Sequence, residues 1–215
     1  MANERTIMVG GGGYGRETYD ALCDCVDAGS LPPIAGYLDD TGDKLAGSGH
    51  KVQWLGTITD YQPRSNDRFV IAIGTPKGKR IVYEKLAAKG AVFTRAIHPT
   101  SRIARTAVLE EGVMMGLATV AGPDTFLGRF VYFNAGAGVG HDGRVGEFSQ
   151  LSANVDVTGG AELGPDVLVG TKVIFLPKVK IGAGATIGAG CVIYRSVPAG
   201  ATMFAPPARM LRMKT

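Results

Sequence analysis

No run of eighteen apolar residues occurs, so no membrane-spanning helix is expected. The opening stretch MANERTIMVGGGG mixes acidic and basic side chains where a secretory leader needs a cationic start and an apolar core. The chain therefore reads as a soluble, cytoplasmic protein. Cysteine is scarce: Cys23, Cys25 and Cys191 neither pair evenly nor carry metal-ligand spacing, and positions 23 and 25 point apart on the helix expected there. Buried or idle thiols and no metal are the expectation. The net charge is only +4 and the basic residues are scattered, without a stripe of interleaved aromatics, so no nucleic-acid partner is expected.

What is abundant is glycine, 32 of 215 residues, against an ordinary 45% of apolar residues. The grammar changes near residue 95. Before it, apolar runs at Thr6 to Val9, Ile34 to Leu38 and Phe69 to Ile73 alternate with helical patterns at about 15–28 and 77–89. That order predicts a small parallel α/β domain over 1–95.

After it the text becomes periodic. Stepping by six from Ile97 through Ile103, Leu109 and Met115 to Ile193 meets an apolar residue every time, a run with a chance of about one in a million. Four residues after each stands a small or β-branched residue, from Ser101 to Val197, and the position just after the apolar one is repeatedly glycine. Hexads too short to bury their own side chains predict a solenoid of triangular coils over 96–198, three hexads to a coil and a little under six coils in all. Each open end needs a cover, for which the α/β domain at one end and residues 199–215 at the other are the candidates.

Three histidines occur. His50 and His98 are read as structural. His141 follows the hexad glycine Gly140, which puts it on an outward-facing coil corner with Asp142 beside it. Histidine is the usual proton acceptor when an amine or hydroxyl attacks a thioester, and an adjacent carboxylate fixes its tautomer. Eighteen residues on, Gly159 falls one coil above His141, where its amide could donate to an oxygen gaining charge. In the first domain, Gly10, Gly12 and Gly15 spell G-x-G-x-x-G between a strand and a helix, the context that cradles phosphate. Asp39 and Asp40 follow the next strand, where a ribose-binding acid stands in dinucleotide folds. By pattern alone an NAD enzyme is a rival, although the strands are too few for a full dinucleotide fold.

An α/β start followed by hexads, with GHDGRVGEFSQLS in the middle, resembles the hexapeptide-repeat sugar acetyltransferases of the NeuD and PglD type over essentially the whole chain. That family carries a His-Glu pair where His141 and Asp142 stand, then an IGEFS-like stretch matching Val145 to Ser149. The departures are Asp for Glu, Gln150 where some members have a second histidine, and Tyr14 for a histidine common in the glycine loop.

The resemblance implies a left-handed parallel β-helix and acetyl-CoA as co-substrate, bound between neighbouring β-helices of a homotrimer. Gly159, Thr171 and Ala189 would line its path, with Arg209, Arg212 and Lys214 near its phosphates. Gly12, Gly13, Tyr14, Gly15, Asp39 and Asp40 would hold the nucleotide of a nucleotide-linked amino sugar. The implied reaction is N-acetylation of that sugar's 4-amino group for bacterial surface polysaccharide, with GDP-perosamine as leading candidate. O-acetylation of a sugar such as sialic acid is the alternative. A zinc carbonic anhydrase on a similar β-helix would need three converging histidines, which His50, outside the repeats, does not allow. A non-enzymatic scaffold leaves the His141–Asp142 corner without a purpose.

Overall fold

The computed structural model describes residues 4–207 and 210. Strand β1 (Arg5–Val9), helix α1 (Gly13–Asp27), strands β2 (Ile34–Leu38) and β3 (Asp67–Ile71) and helix α2 (Pro76–Ala87) form the first unit. Its sheet is parallel, in the order β2-β1-β3. Ile7, Met8 and Val9 are fully buried, as a strand covered on both faces requires. Among the described residues this sheet has three strands, fewer than a full dinucleotide fold has. Gly15 is obligatory: a Cβ there would lie 2.3 Å from the Gly10 carbonyl oxygen, so only glycine lets α1 start so close to β1.

The repeats wind into a parallel β-helix of two-residue strands arranged on three faces of seven, six and five strands. The first face runs from Ala96–Ile97 to Thr202–Met203, the second from Arg102–Ile103 to Val192–Ile193 and the third from Val108–Leu109 to Lys180–Ile181. Register is eighteen residues from coil to coil, as in Tyr132↔Gln150 and Gly138↔Asp156, and shortens to sixteen only in the last turn, where Thr186 pairs with Thr202. The six-residue columns form the core: Leu127, Phe133, Val145, Leu151 and Phe175 are fully buried. Where the second column carries a hydroxyl, it donates to a corner carbonyl, as Thr125 Oγ1 does to Gly122 O at 2.9 Å, so no polar group is left bare there. The ladder reaches Met203, so the start of the segment assigned to a cap completes the last turn.

The hexad glycines are demanded by space rather than by dihedral. A Cβ on Gly146 would meet Pro165 N at 2.4 Å in the next coil, and one on Gly170 would meet Ala189 N at 2.5 Å. The left-handed position lies two residues further on, and nine side-chain-bearing residues occupy it, including Asp142 at φ 58°.

One expectation is corrected. The α/β unit does not cover the open end of the solenoid: Ile103 in the first coil is still exposed. The unit leans along the first face instead. Met114 and Tyr132 pack with Met8, Leu22 and Tyr37, while Phe130 and Phe148, at the neighbouring corner, pack with Phe69, Val82 and Phe93. A column of outward apolar and aromatic side chains spanning several coils offers more area to bury than the end of one coil.

Buried Lys79 on α2 fastens this contact. Its Nζ donates to Phe130 O at 2.8 Å and Ser149 O at 3.0 Å, and burial lowers its pKa to about 7. Arg80 beside it bonds Asp166 and Glu147 and lies 4.2 Å over the Phe148 ring.

Candidate active site

His141 stands at the corner between the second and third faces, its side chain 70% exposed. Its main chain is part of the stack, the carbonyl accepting from Gly160 N at 2.8 Å. Asp142 adopts a left-handed conformation that aspartate tolerates and returns its carboxylate to the ring, 2.7 Å from His141 Nδ1. That pairing makes Nδ1 the protonated nitrogen and leaves Nε2 free to accept a proton. Nε2 lies directly over Gly159, where a Cβ would be 2.4 Å away. The Gly159 amide donates to no group among the described residues. A base and an unused N–H therefore converge at one exposed corner, the arrangement acyl transfer needs.

Thr171 and Ala189 stack one coil apart, Gly190 N donating to Thr171 O at 2.9 Å, but at the corner between the first and second faces. They share no corner with Gly159 in one chain. Arg209, Arg212 and Lys214 lie outside the described residues.

The glycine loop has the expected strand–loop–helix setting, with Gly12 as the helix N-cap and Gly13 as its first residue. Asp39 ties the loop down: its Oδ2 accepts from Gly11 N and its Oδ1 from Thr41 N, both at 2.8 Å. Burial would raise its pKa, but these hydrogen bonds outweigh burial and hold it below the usual carboxylate range. Asp40 turns elsewhere, accepting from Thr59 N and Lys85 Nζ, each at 3.1 Å; these contacts likewise outweigh burial and lower its pKa. Tyr14 crosses to the first face, where its hydroxyl meets Gln150 Nε2 and its ring lies edge-on to Tyr132 at 4.8 Å. Two of the three departures noted in the sequence, Tyr14 and Gln150, thus touch each other. On a triangular section the loop side and the His141 corner lie opposite one another.

The other histidines are structural. His98 Nδ1 accepts from Thr100 N at 3.2 Å, so Nε2 carries the proton and donates to Asp24 at 2.8 Å, joining α1 to the first coil. His50 contacts Ser48 Oγ at 2.9 Å. Among the described residues no group of His, Cys, Asp and Glu is placed to hold a metal, and no helix is long and apolar enough to cross a membrane. Lys79 and Tyr132 went unnoticed in the sequence. Tyr132 had a signal, an aromatic at an outward hexad position; Lys79 had none.

Residues 5–86 match the PglD N-terminal domain family and residues 160–195 the bacterial transferase hexapeptide family. The acetyltransferase domain of PglB from Neisseria gonorrhoeae FA1090, in complex with acetyl coenzyme A, superposes with a TM-score of 0.86 at 26% identity, covering 97% of this chain and 100% of that one. PerB from Caulobacter crescentus, in complex with CoA and GDP-perosamine, gives 0.84 at 26% identity, covering 95% of each chain. In sequence, a UDP-3-O-acylglucosamine N-acyltransferase of Caulobacter sp. (strain K31) is 34% identical over 109 residues, 49% of this chain and 32% of that protein. The chain spans about a third of the length of that curated relative.

These matches define the class as a PglD-type N-terminal domain on a left-handed hexapeptide-repeat β-helix. Within that class the chain is similar to the sugar acetyltransferases of the NeuD and PglD type.

Proposed function

We propose that the protein transfers an acetyl group from acetyl-CoA to the 4-amino group of a nucleotide-linked amino sugar, with GDP-perosamine the leading candidate. The observation that carries this reading is the His141–Asp142 pair seated on Gly159. His141 Nε2 takes a proton from the amine as its nitrogen attacks, Asp142 stabilises the imidazolium through Nδ1, and the Gly159 N–H donates to the carbonyl oxygen as charge gathers on it. The small residues Thr171 and Ala189 leave a clear strip for the pantetheine arm.

The glycine loop and the His141 corner face opposite ways, so one chain does not complete the site alone. A homotrimer that sets the His141 corner of one chain against the loop side of the next fits this geometry. Acetyl-CoA and nucleotide sugars place such chemistry in the cytoplasm, in surface-polysaccharide synthesis.

The test is mass spectrometry of GDP- and UDP-linked 4-amino sugars incubated with protein and acetyl-CoA, with the 4-hydroxyl counterparts alongside. An acetylated amino sugar supports the reading, and acetylation of the hydroxyl sugars alone replaces it with O-transfer. His141→Asn should lower kcat by about 10²- to 10⁴-fold while CoA binding survives. Near-normal turnover would remove His141 from the chemistry.

A further inference from the structure

Between α1 and the first coils lies a cavity of about 440 Å³, walled by Glu17, Asp20 and Asp24 on one side and by His98, Tyr132 and Asn134 on the other. Helical spacing puts the three carboxylates on one face of α1. Asp24 is occupied by His98. Among the described residues Glu17 receives only Asn134 Nδ2, at 3.2 Å, and Asp20 has His50 no nearer than 3.9 Å. The cavity is therefore an acidic site in a protein of net charge +4.

Tyr132 is a second and independent sign of a ligand. It is 4% exposed and lines the cavity, and its hydroxyl has no hydrogen-bond partner among the described residues. Burial alone pushes its pKa up. The hydroxyl is not one of the fully buried unpaired side-chain atoms, so it reaches the cavity, where a polar ligand can take the place of water. The ring touches Tyr14, so the cavity begins where the glycine loop ends.

We propose that this cavity seats the amine-bearing sugar ring of the acceptor, with Glu17 receiving its ammonium group and the Tyr132 hydroxyl binding a ring oxygen or hydroxyl. The inference rests on the sugar-acetylating reading above and adds to it one specificity-determining residue, Glu17, and one binding residue, Tyr132. The acidic wall repels phosphate, so the diphosphate belongs at the neighbouring glycine loop and CoA belongs elsewhere. A 4-hydroxyl sugar gains nothing from the charge on Glu17, so the wall selects an amine. In the reaction the ammonium first releases one proton to water. A second proton passes to His141 Nε2 as the C–N bond forms, and the C–S bond breaks with that proton delivered to the sulfur of departing CoA.

The experiment compares the full-length protein with Glu17→Gln and Tyr132→Phe. It measures KM and kcat for whichever of GDP-perosamine or a UDP-linked 4-amino sugar the wild type acetylates, and the inhibition constant of the matching 4-hydroxyl sugar nucleotide. Glu17→Gln should raise KM for the amino sugar about tenfold, the loss of one charge-assisted contact, and leave the 4-hydroxyl inhibition constant unchanged. Tyr132→Phe should weaken both ligands alike. An unchanged KM in Glu17→Gln, or equal weakening of amine and hydroxyl ligands by it, overturns the seat while leaving the function standing. If the wild type acetylates neither amino sugar, the function itself falls and the seat with it.

Discussion

Gly159→Ala isolates the geometry on which catalysis depends. The added methyl would stand 2.4 Å from His141 Nε2 and 2.6 Å from Cε1, about 1 Å inside van der Waals contact. The backbone around Gly159 is locked into the coil, with Gly159 O accepting from Lys178 N at 3.2 Å, so the imidazole must give way. Its side chain is 70% exposed and free to swing outward, which makes the substitution cheap for folding. A displacement of that size breaks the 2.7 Å contact between Nδ1 and Asp142 and carries Nε2 off line. Misplacing a reacting group by about 1 Å can cost on the order of 10²-fold in rate, and that is the loss expected in kcat, with Tm and CoA binding little changed. Alanine keeps the amide N–H, so an effect through the ring alone should vanish in a His141→Asn background. A Gly159→Ala enzyme with near-normal kcat, or a loss that multiplies undiminished with that of His141→Asn, would refute the reasoning.

Lys79 makes stability depend on pH with a definite sign. Its folded pKa is about 7 against an ordinary 10.5, so below pH 7 both states hold the proton and the burial penalty is complete. Between those values the unfolded chain binds the extra proton, and stability should rise with pH. Thermal melts from pH 7 to 9 should show Tm climbing in the wild type and a flatter profile in Lys79→Met. Asp39→Ala frees the Gly11 amide and should raise KM for the sugar nucleotide while leaving CoA affinity alone, measured by titration calorimetry. Phe133→Ala, a fully buried core position, should cost about 3–5 kcal/mol in denaturant unfolding.

Much of the fold was legible because a hexad repeats one physical requirement at every step. Phe133, Leu151 and Val169 are each an apolar residue facing the same axis, so a count along the chain shows the solenoid. His141 was legible for the same reason: a coil corner has a fixed place in the repeat, and residue 159 must lie above it. The strands and helices of the first unit were found because periodicity and glycine punctuation are local signals.

The seat of the α/β unit was misjudged because docking is settled by which surfaces match, and no local pattern says that Phe130, Phe148 and Tyr132 form a strip for α1 and α2. The work done by Asp39 was hidden for a similar reason, since its partners Gly11 and Thr41 meet it only after β1 and β2 pair.

The amino-acid sequence by itself determined the coil and the corner that carries His141 and Asp142, because the period of six places every residue on a face without reference to the rest of the molecule. Only the tertiary structure decided that the base and the glycine loop lie on opposite sides of the chain, that Tyr14 meets Gln150, and that an acidic cavity opens under α1. These are contacts between segments far apart in the chain, and they exist only once the two units have buried their shared surface.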